Sequence, residues 1–209
     1  MRATLFFVAA SVFLSIISSV PAMSGEPDPA VDWHRSGPDV VVYLPKDGEH
    51  HDGDNEMFIV FQAPKSDELL GMWTQSSVEG RGDNRIMLAR SSDGLHWSPP
   101  QRIVGTPPGT TEPQASWGVP IVARTGRIYC VYVKEQPRAE AGQRQESGGM
   151  GCLYSDDNGK TWRPGDDIPM PRNRFDHPDP AIPKSYWLWT TATRDRHGRH
   201  LLGYTATTS

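Results

Sequence analysis

Short apolar runs separated by polar, glycine- and proline-rich stretches recur along this chain, at strand length and not at helix length. The first four are Val40-Val41-Val42-Tyr43-Leu44, Met57-Phe58-Ile59-Val60-Phe61, Leu69-Leu70-Gly71-Met72-Trp73 and Arg85-Ile86-Met87-Leu88-Ala89-Arg90. They read as the strands of one meander. Gly118 to Val122, Arg127 to Val133 and a run around Cys152 read as a second unit, with a polar loop at 135–149 inside it. Tyr186 to Thr190 and Leu201 to Thr205, joined by the charged turn Asp195 to Arg199, begin a third. No long amphipathic helix interrupts the series after the N-terminus. The pattern predicts an all-β chain, and the 20 glycines and 19 prolines suit many strands joined by turns.

One acidic turn stands out, Tyr154-Ser155-Asp156-Asp157-Asn158-Gly159-Lys160-Thr161-Trp162. A calcium loop of the EF-hand type needs oxygen ligands at its odd positions, Gly at position 6 and Glu at position 12. With Gly159 at position 6, position 1 is Tyr154 and position 12 is Gly165, so that reading fails. What is left is Ser-x-Asp-x-Gly-x-Thr-Trp. Ser and Asp can bond nearby backbone N–H groups, Gly supplies a positive φ, and Trp gives an apolar cap beneath the turn. A shorter copy, Ser91-Ser92-Asp93-Gly94-Leu95-His96-Trp97, follows another β-like run. Each copy precedes a proline-containing strand start, Trp97-Ser98-Pro99-Pro100 or Trp162-Arg163-Pro164, which indicates an internal repeat.

The N-terminus is of a different kind. Arg2, an apolar run from Leu5 to Val20, and Val20-Pro21-Ala22 make the charged start, apolar middle and small-residue site of a secretory signal, cleaved after Ala22. The run is short for a membrane span, and no later segment could cross. The chain is therefore expected to be exported, with a signal at 1–22 and a polar, proline-rich linker at 23–38. In an exported protein Cys130 and Cys152, on neighbouring strands, could form a disulfide; two small buried residues is the other reading. A net charge of −4 offers no basic surface to nucleic acid. No Gly-x-Ser-x-Gly elbow, P-loop or Cys-x-x-Cys is present, and nothing calls for a metal or cofactor.

The two turns, in their strand context, resemble the Asp-box (BNR repeat) of the sialidase-like six-bladed β-propellers. The full copy is Ser155, Asp157, Gly159 and Trp162; the shortened one is Ser91, Asp93, Gly94 and Trp97. The stretch from Leu69 to Ile103 resembles a run from one blade into the next. The resemblance implies a β-propeller at 39–209, with units at about 39–104, 105–170 and an incomplete 171–209. Six blades would need a longer chain, so a truncated product is expected. Such enzymes are glycoside hydrolases that use a Tyr nucleophile paired with Glu, an Asp acid/base and three arginines that bind the substrate carboxylate. By position, the resemblance implies Asp83 as acid/base, with Arg81 and Glu79 of the same loop binding substrate. A solvated inter-strand loop is the competing reading of these residues. The family's early Arg-Ile-Pro strand has no counterpart; the nearest segment is Val41-Val42-Tyr43-Leu44-Pro45. A glycan or glycoside substrate is expected, with the truncated chain itself expected to be inactive, and a non-catalytic carbohydrate- or protein-binding propeller is the alternative. Two other polar clusters, His50 to Glu56 and Arg174 to Asp179, read as a solvated loop and a proline-stabilised turn, with a place at the rim of a site and a sugar contact by Asp176 or His177 as the lesser readings.

Overall fold

Antiparallel sheets stacked face to face organise the protein. The computed structural model describes residues 38–46, 51–78, 83–105, 114–135, 147–179, 182 and 184–208. The first sheet contains β1 (Asp54–Gln62), β2 (Leu69–Ser76), β3 (Arg85–Ser91) and β4 (Gln101–Gly105), in that spatial order. The second contains β5 (Gln114–Val122), β6 (Ile128–Glu135), β7 (Ser147–Ser155) and β8 (Arg163–Pro164), again in chain order. A hairpin of β9 (Lys184–Arg194) and β10 (His200–Thr208) forms the third. Every ladder is antiparallel, the meander arrangement of propeller blades.

Strand alternation explains the stacking, because successive side chains point to opposite faces. Leu70, Met72, Ile86 and Leu88 leave the first sheet on one face and meet Ala115, Ile128, Cys130, Tyr132 and Leu153 of the second. The intervening residues Trp73, Met87 and Ala89 cover the first sheet's other face, beneath Val42, Tyr43 and Trp97. On the far side of the second sheet, Val119, Val131, Val133, Met150 and Cys152 pack against Tyr186 and Leu188 of β9. The central strands are buried on both faces, which is why their sequences are nearly continuous apolar runs. Each wholly buried Leu or Ile here contributes about 1.5–3 kcal/mol relative to an exposed one. The sheets approach closely at Gly118, where an added Cβ would lie 2.9 Å from the Ile86 side chain and 3.3 Å from Cys130 Sγ.

One expectation is corrected, and of the two readings left open for the cysteines the structure has the second. Val40 to Leu44 is not a strand. Val42 and Tyr43 lie against the face of the first sheet instead of extending its ladder. In consequence the first meander starts at Asp54, and its fourth strand follows the Ser91 turn. The cysteines do not pair: both are buried free thiols. Cys130 faces Leu153 across the ladder while Cys152 faces Val131, so their side chains leave opposite faces of one sheet.

Candidate functional site

The two repeated turns are closed local structures. In the first, Gly94 N–H donates to Ser91 Oγ at 2.8 Å, and Leu95 and His96 N–H both donate to Asp93 Oδ1 at 2.8 Å. In the second, Gly159 N–H donates to Ser155 Oγ at 2.7 Å, and Asp157 accepts from Thr161 N–H at 2.9 Å and its hydroxyl at 2.6 Å. Gly94 and Gly159 have φ of 77° and 73°, the left-handed region glycine adopts freely. Trp97 and Trp162 each donate the indole N–H back to the glycine carbonyl, at 3.3 and 3.1 Å. The His96 ring and the Thr161 hydroxyl are the leading causes that hold Asp93 and Asp157 well below the ordinary carboxylate range. These carboxylates are committed to the turn.

The longer second turn also ties the sheets together. Its extra residue, Asn158, takes φ of 60°. The side chain accepts from Lys65 N–H at 3.1 Å and donates to Ser66 Oγ at 3.1 Å, both in the β1–β2 turn. Arg90 donates to the Asn158 carbonyl at 2.8 Å.

At the opposite end of the strands, where β2 passes into β3, the polar groups are buried. Asp52, Gln75, Ser76, Asp83, Asn84, Arg85, Gln114, Ser116 and Glu135 are all within 8% exposure. Asp83 is 1% exposed, and both its carboxylate oxygens accept from Ser77 N–H at 3.1 Å. Arg85 donates to Gln75 Oε1 from Nε at 3.1 Å and from a terminal nitrogen at 2.9 Å, and to the His51 carbonyl at 2.5 Å. Burial pulls the Arg85 guanidinium down from its ordinary pKa, and the Asp83 and Asp52 carboxylates oppose that. Asp52 in turn accepts from the Tyr43 hydroxyl and from Lys46 N–H. Burial first, then that bond, raises the Tyr43 phenol. Across the seam between sheets, Asn84 donates to Ser116 Oγ and, at 3.2 Å, to Glu135.

Of the residues read from the sequence, Asp83 therefore lies in this cluster, whereas Arg81 and Glu79 fall outside the described residues. The loop from His50 to Glu56 is not simply solvated, since Asp52 within it is 2% exposed. Arg174 to Asp179 is a turn: Asp176 accepts from Asn173 N–H at 2.8 Å and pairs with Lys184 at 2.5 Å. Arg85, Asn84 and Glu135 escaped the sequence reading as site residues, and Asp52 entered it only as part of the His50 to Glu56 loop. The trace they left is the polar tail Thr74-Gln75-Ser76 on an otherwise apolar strand, which only a polar neighbourhood can tolerate. Among the described residues, no helix is long and apolar enough to cross a membrane.

Residues 67–181, more than half the chain, match the family described as the BNR repeat-like domain. The chain belongs to this family. No curated protein matches it. Among solved structures, this BNR-repeat protein is similar to a Dyadobacter fermentans protein of unknown function, with a TM-score of 0.50, 15% identity, and coverage of 81% of this chain and 54% of that one. It also matches a family 117 glycoside hydrolase of the marine bacterium Zobellia galactanivorans, with a TM-score of 0.46, 15% identity, and coverage of 66% and 45%. The chain thus spans about half the length of these two structures. Likeness at such identity concerns the fold alone.

Proposed function

We propose that this BNR-repeat protein is an exported, glycan-acting propeller related to the sialidase-like glycoside hydrolases. The observation that carries the reading is the division of labour along the blades. The Asp-box turns fasten one end, and the opposite end gathers Asp83, Arg85, Asp52 and Glu135 into one buried polar cluster. In this reading Asp83 is the acid/base, with Arg81 and Glu79 of the same loop meeting the substrate. The decisive experiment is Asp83→Asn assayed on a panel of aryl glycosides: a loss of about a hundredfold or more in turnover is expected for a general acid. Unchanged turnover would remove Asp83 from the mechanism.

A second reading, a non-catalytic propeller that binds glycans, is favoured by one specific contact. The Asp83 carboxylate caps the Ser77 amide and is 1% exposed, a structural posture. A wild type that binds glycans and cleaves none decides for it. Export rests on the N-terminal pattern, and N-terminal sequencing of secreted protein beginning at Met23 tests it.

A further inference from the structure

Asn158 and Gly159 are the only Asn-Gly pair in the chain, and they lie in the turn that ties the second sheet to the first. Asparagine before glycine is the pair most open to one spontaneous reaction, because a following residue with no Cβ hinders it least. The Gly159 nitrogen bonds to Cγ of Asn158 while the Cγ–Nδ2 bond breaks. A five-membered imide forms, and ammonia leaves with the proton of the Gly159 N–H. Water then opens the imide at either carbonyl, giving aspartate or, with the chain rerouted through Cγ, isoaspartate.

In the fold every participant is held away from this reaction. Gly159 N–H donates to Ser155 Oγ at 2.7 Å, so its nitrogen keeps its proton. The Asn158 amide is fixed from both sides, Oδ1 by Lys65 N–H and Nδ2 by Ser66 Oγ, each at 3.1 Å. Asn158 is 8% exposed and Gly159 is buried, which withholds water and base. The Ser155 bond is internal to the turn. The Lys65 and Ser66 bonds cross between the sheets, as does the Arg90 bond to the Asn158 carbonyl, so this guard exists only while the two sheets are packed together. The first turn has no equivalent, since Asp93 is followed directly by Gly94.

We propose that Asn158 is a self-modification site gated by the seam between the first two sheets. Closed sheets preserve the amide, and each separation exposes it to conversion into aspartate or isoaspartate. The product rebuilds the tie poorly. Its carboxylate has lost the N–H that Ser66 accepts, and it adds a third charge to the run Asp156-Asp157. Isoaspartate also lengthens by one backbone carbon a turn whose residues 158 and 159 have φ of 60° and 73°. A transient opening thereby becomes a permanent loss of fit, which makes the lifetime of this seam a rate and not an equilibrium. The gate holds whether or not the protein acts on glycans.

The test follows aspartate and isoaspartate at position 158 by peptide mass spectrometry, in the full chain kept near neutral pH with and without unfolding urea. Modification is expected to be about tenfold or more slower in the folded protein, because a gated reaction tracks the population of the open form. Ser66→Ala removes one bond across the seam and leaves the turn itself intact. It is expected to raise the native rate about two- to tenfold and to leave the rate in urea unchanged. Asn158→Asp, a mimic of one product, is expected to lower the urea midpoint. Equal rates in folded and unfolded protein, or a native rate that Ser66→Ala does not move, overturn the gate. An Asn158→Asp midpoint equal to that of the wild type overturns the permanent loss of fit.

Discussion

Carboxylates cluster at both ends of the first two sheets, and the two ends hold them by opposite means. At the turn end, Asp93 and Asp157 bond to atoms within four residues of themselves and stay open to solvent. At the loop end, Asp52, Asp83 and Glu135 are withdrawn from water, and Asp52 and Glu135 depend on partners from other segments. The difference separates two kinds of acidic residue that a sequence shows alike. A self-sufficient turn needs its carboxylate wherever it folds. A buried cluster needs every member present together, because each charge is tolerated only beside the others.

Removing a member from each end should expose that asymmetry, and the loop end should suffer more. Arg85→Met deletes the buried guanidinium whose charge is felt by Asp83 and Asp52, together with its bonds to Gln75 and the His51 carbonyl. Breaking a buried charge cluster from one side costs about 3–5 kcal/mol, read as a lowered urea midpoint with an unchanged m-value. At the turn end, Ser155→Ala removes the acceptor of the buried Gly159 N–H and the donor to Asp157. A loss of about 1–3 kcal/mol follows from leaving one buried donor unmade. An Arg85→Met protein as stable as the Ser155→Ala protein would erase the distinction.

Acid sharpens the same comparison with a smaller signal. The folded-state pKa of Asp157 is depressed, chiefly by the Thr161 hydroxyl and N–H. A depressed carboxylate contributes stability that is whole above its unfolded pKa and is lost as pH falls through and below about 4. Asp157→Asn should therefore be less stable than the wild type at neutral pH, and the gap should close below about pH 4. Urea midpoints measured from pH 7 down to pH 3 give the two curves. Parallel curves would mean that the turn does not depend on the charge of Asp157.

The unequal legibility of the two ends has the same physical origin. Ser155, Asp157, Gly159 and Trp162 bond to one another, so their spacing in the sequence already contains the contact. The β-strands were legible for a similar reason, since two-sided burial writes itself as unbroken apolar runs. Asp83 could be placed only by resemblance. Arg85 reaches the His51 carbonyl across 34 positions and Asn84 reaches Glu135 across 51, and no local pattern reports such distances. Val40 to Leu44 misled for the converse reason. Its β-branched run has strand propensity, but Val42 and Tyr43 pack on the face of the first sheet with Trp73, Met87 and Ala89 and join no ladder.

The smallest expected effect is none, and it bears on the cysteines that bridge neither end. Adjacent strands bring Cys130 and Cys152 close in the ladder, which is what made a disulfide readable from the sequence. Yet a one-residue offset in register sends them to opposite faces, Cys130 into the seam between the first two sheets and Cys152 into the seam with β9. Joining them would require the β6–β7 pairing to slip by one residue, which would turn every apolar side chain of that strand to the wrong face. Burial also pushes both thiols up, most strongly Cys130, so neither offers a ready thiolate to an oxidant. Adding reductant should leave the thermal midpoint where it was. A thiol reagent should titrate both cysteines only after unfolding, and a mass two hydrogens short in unreduced protein would contradict the register itself.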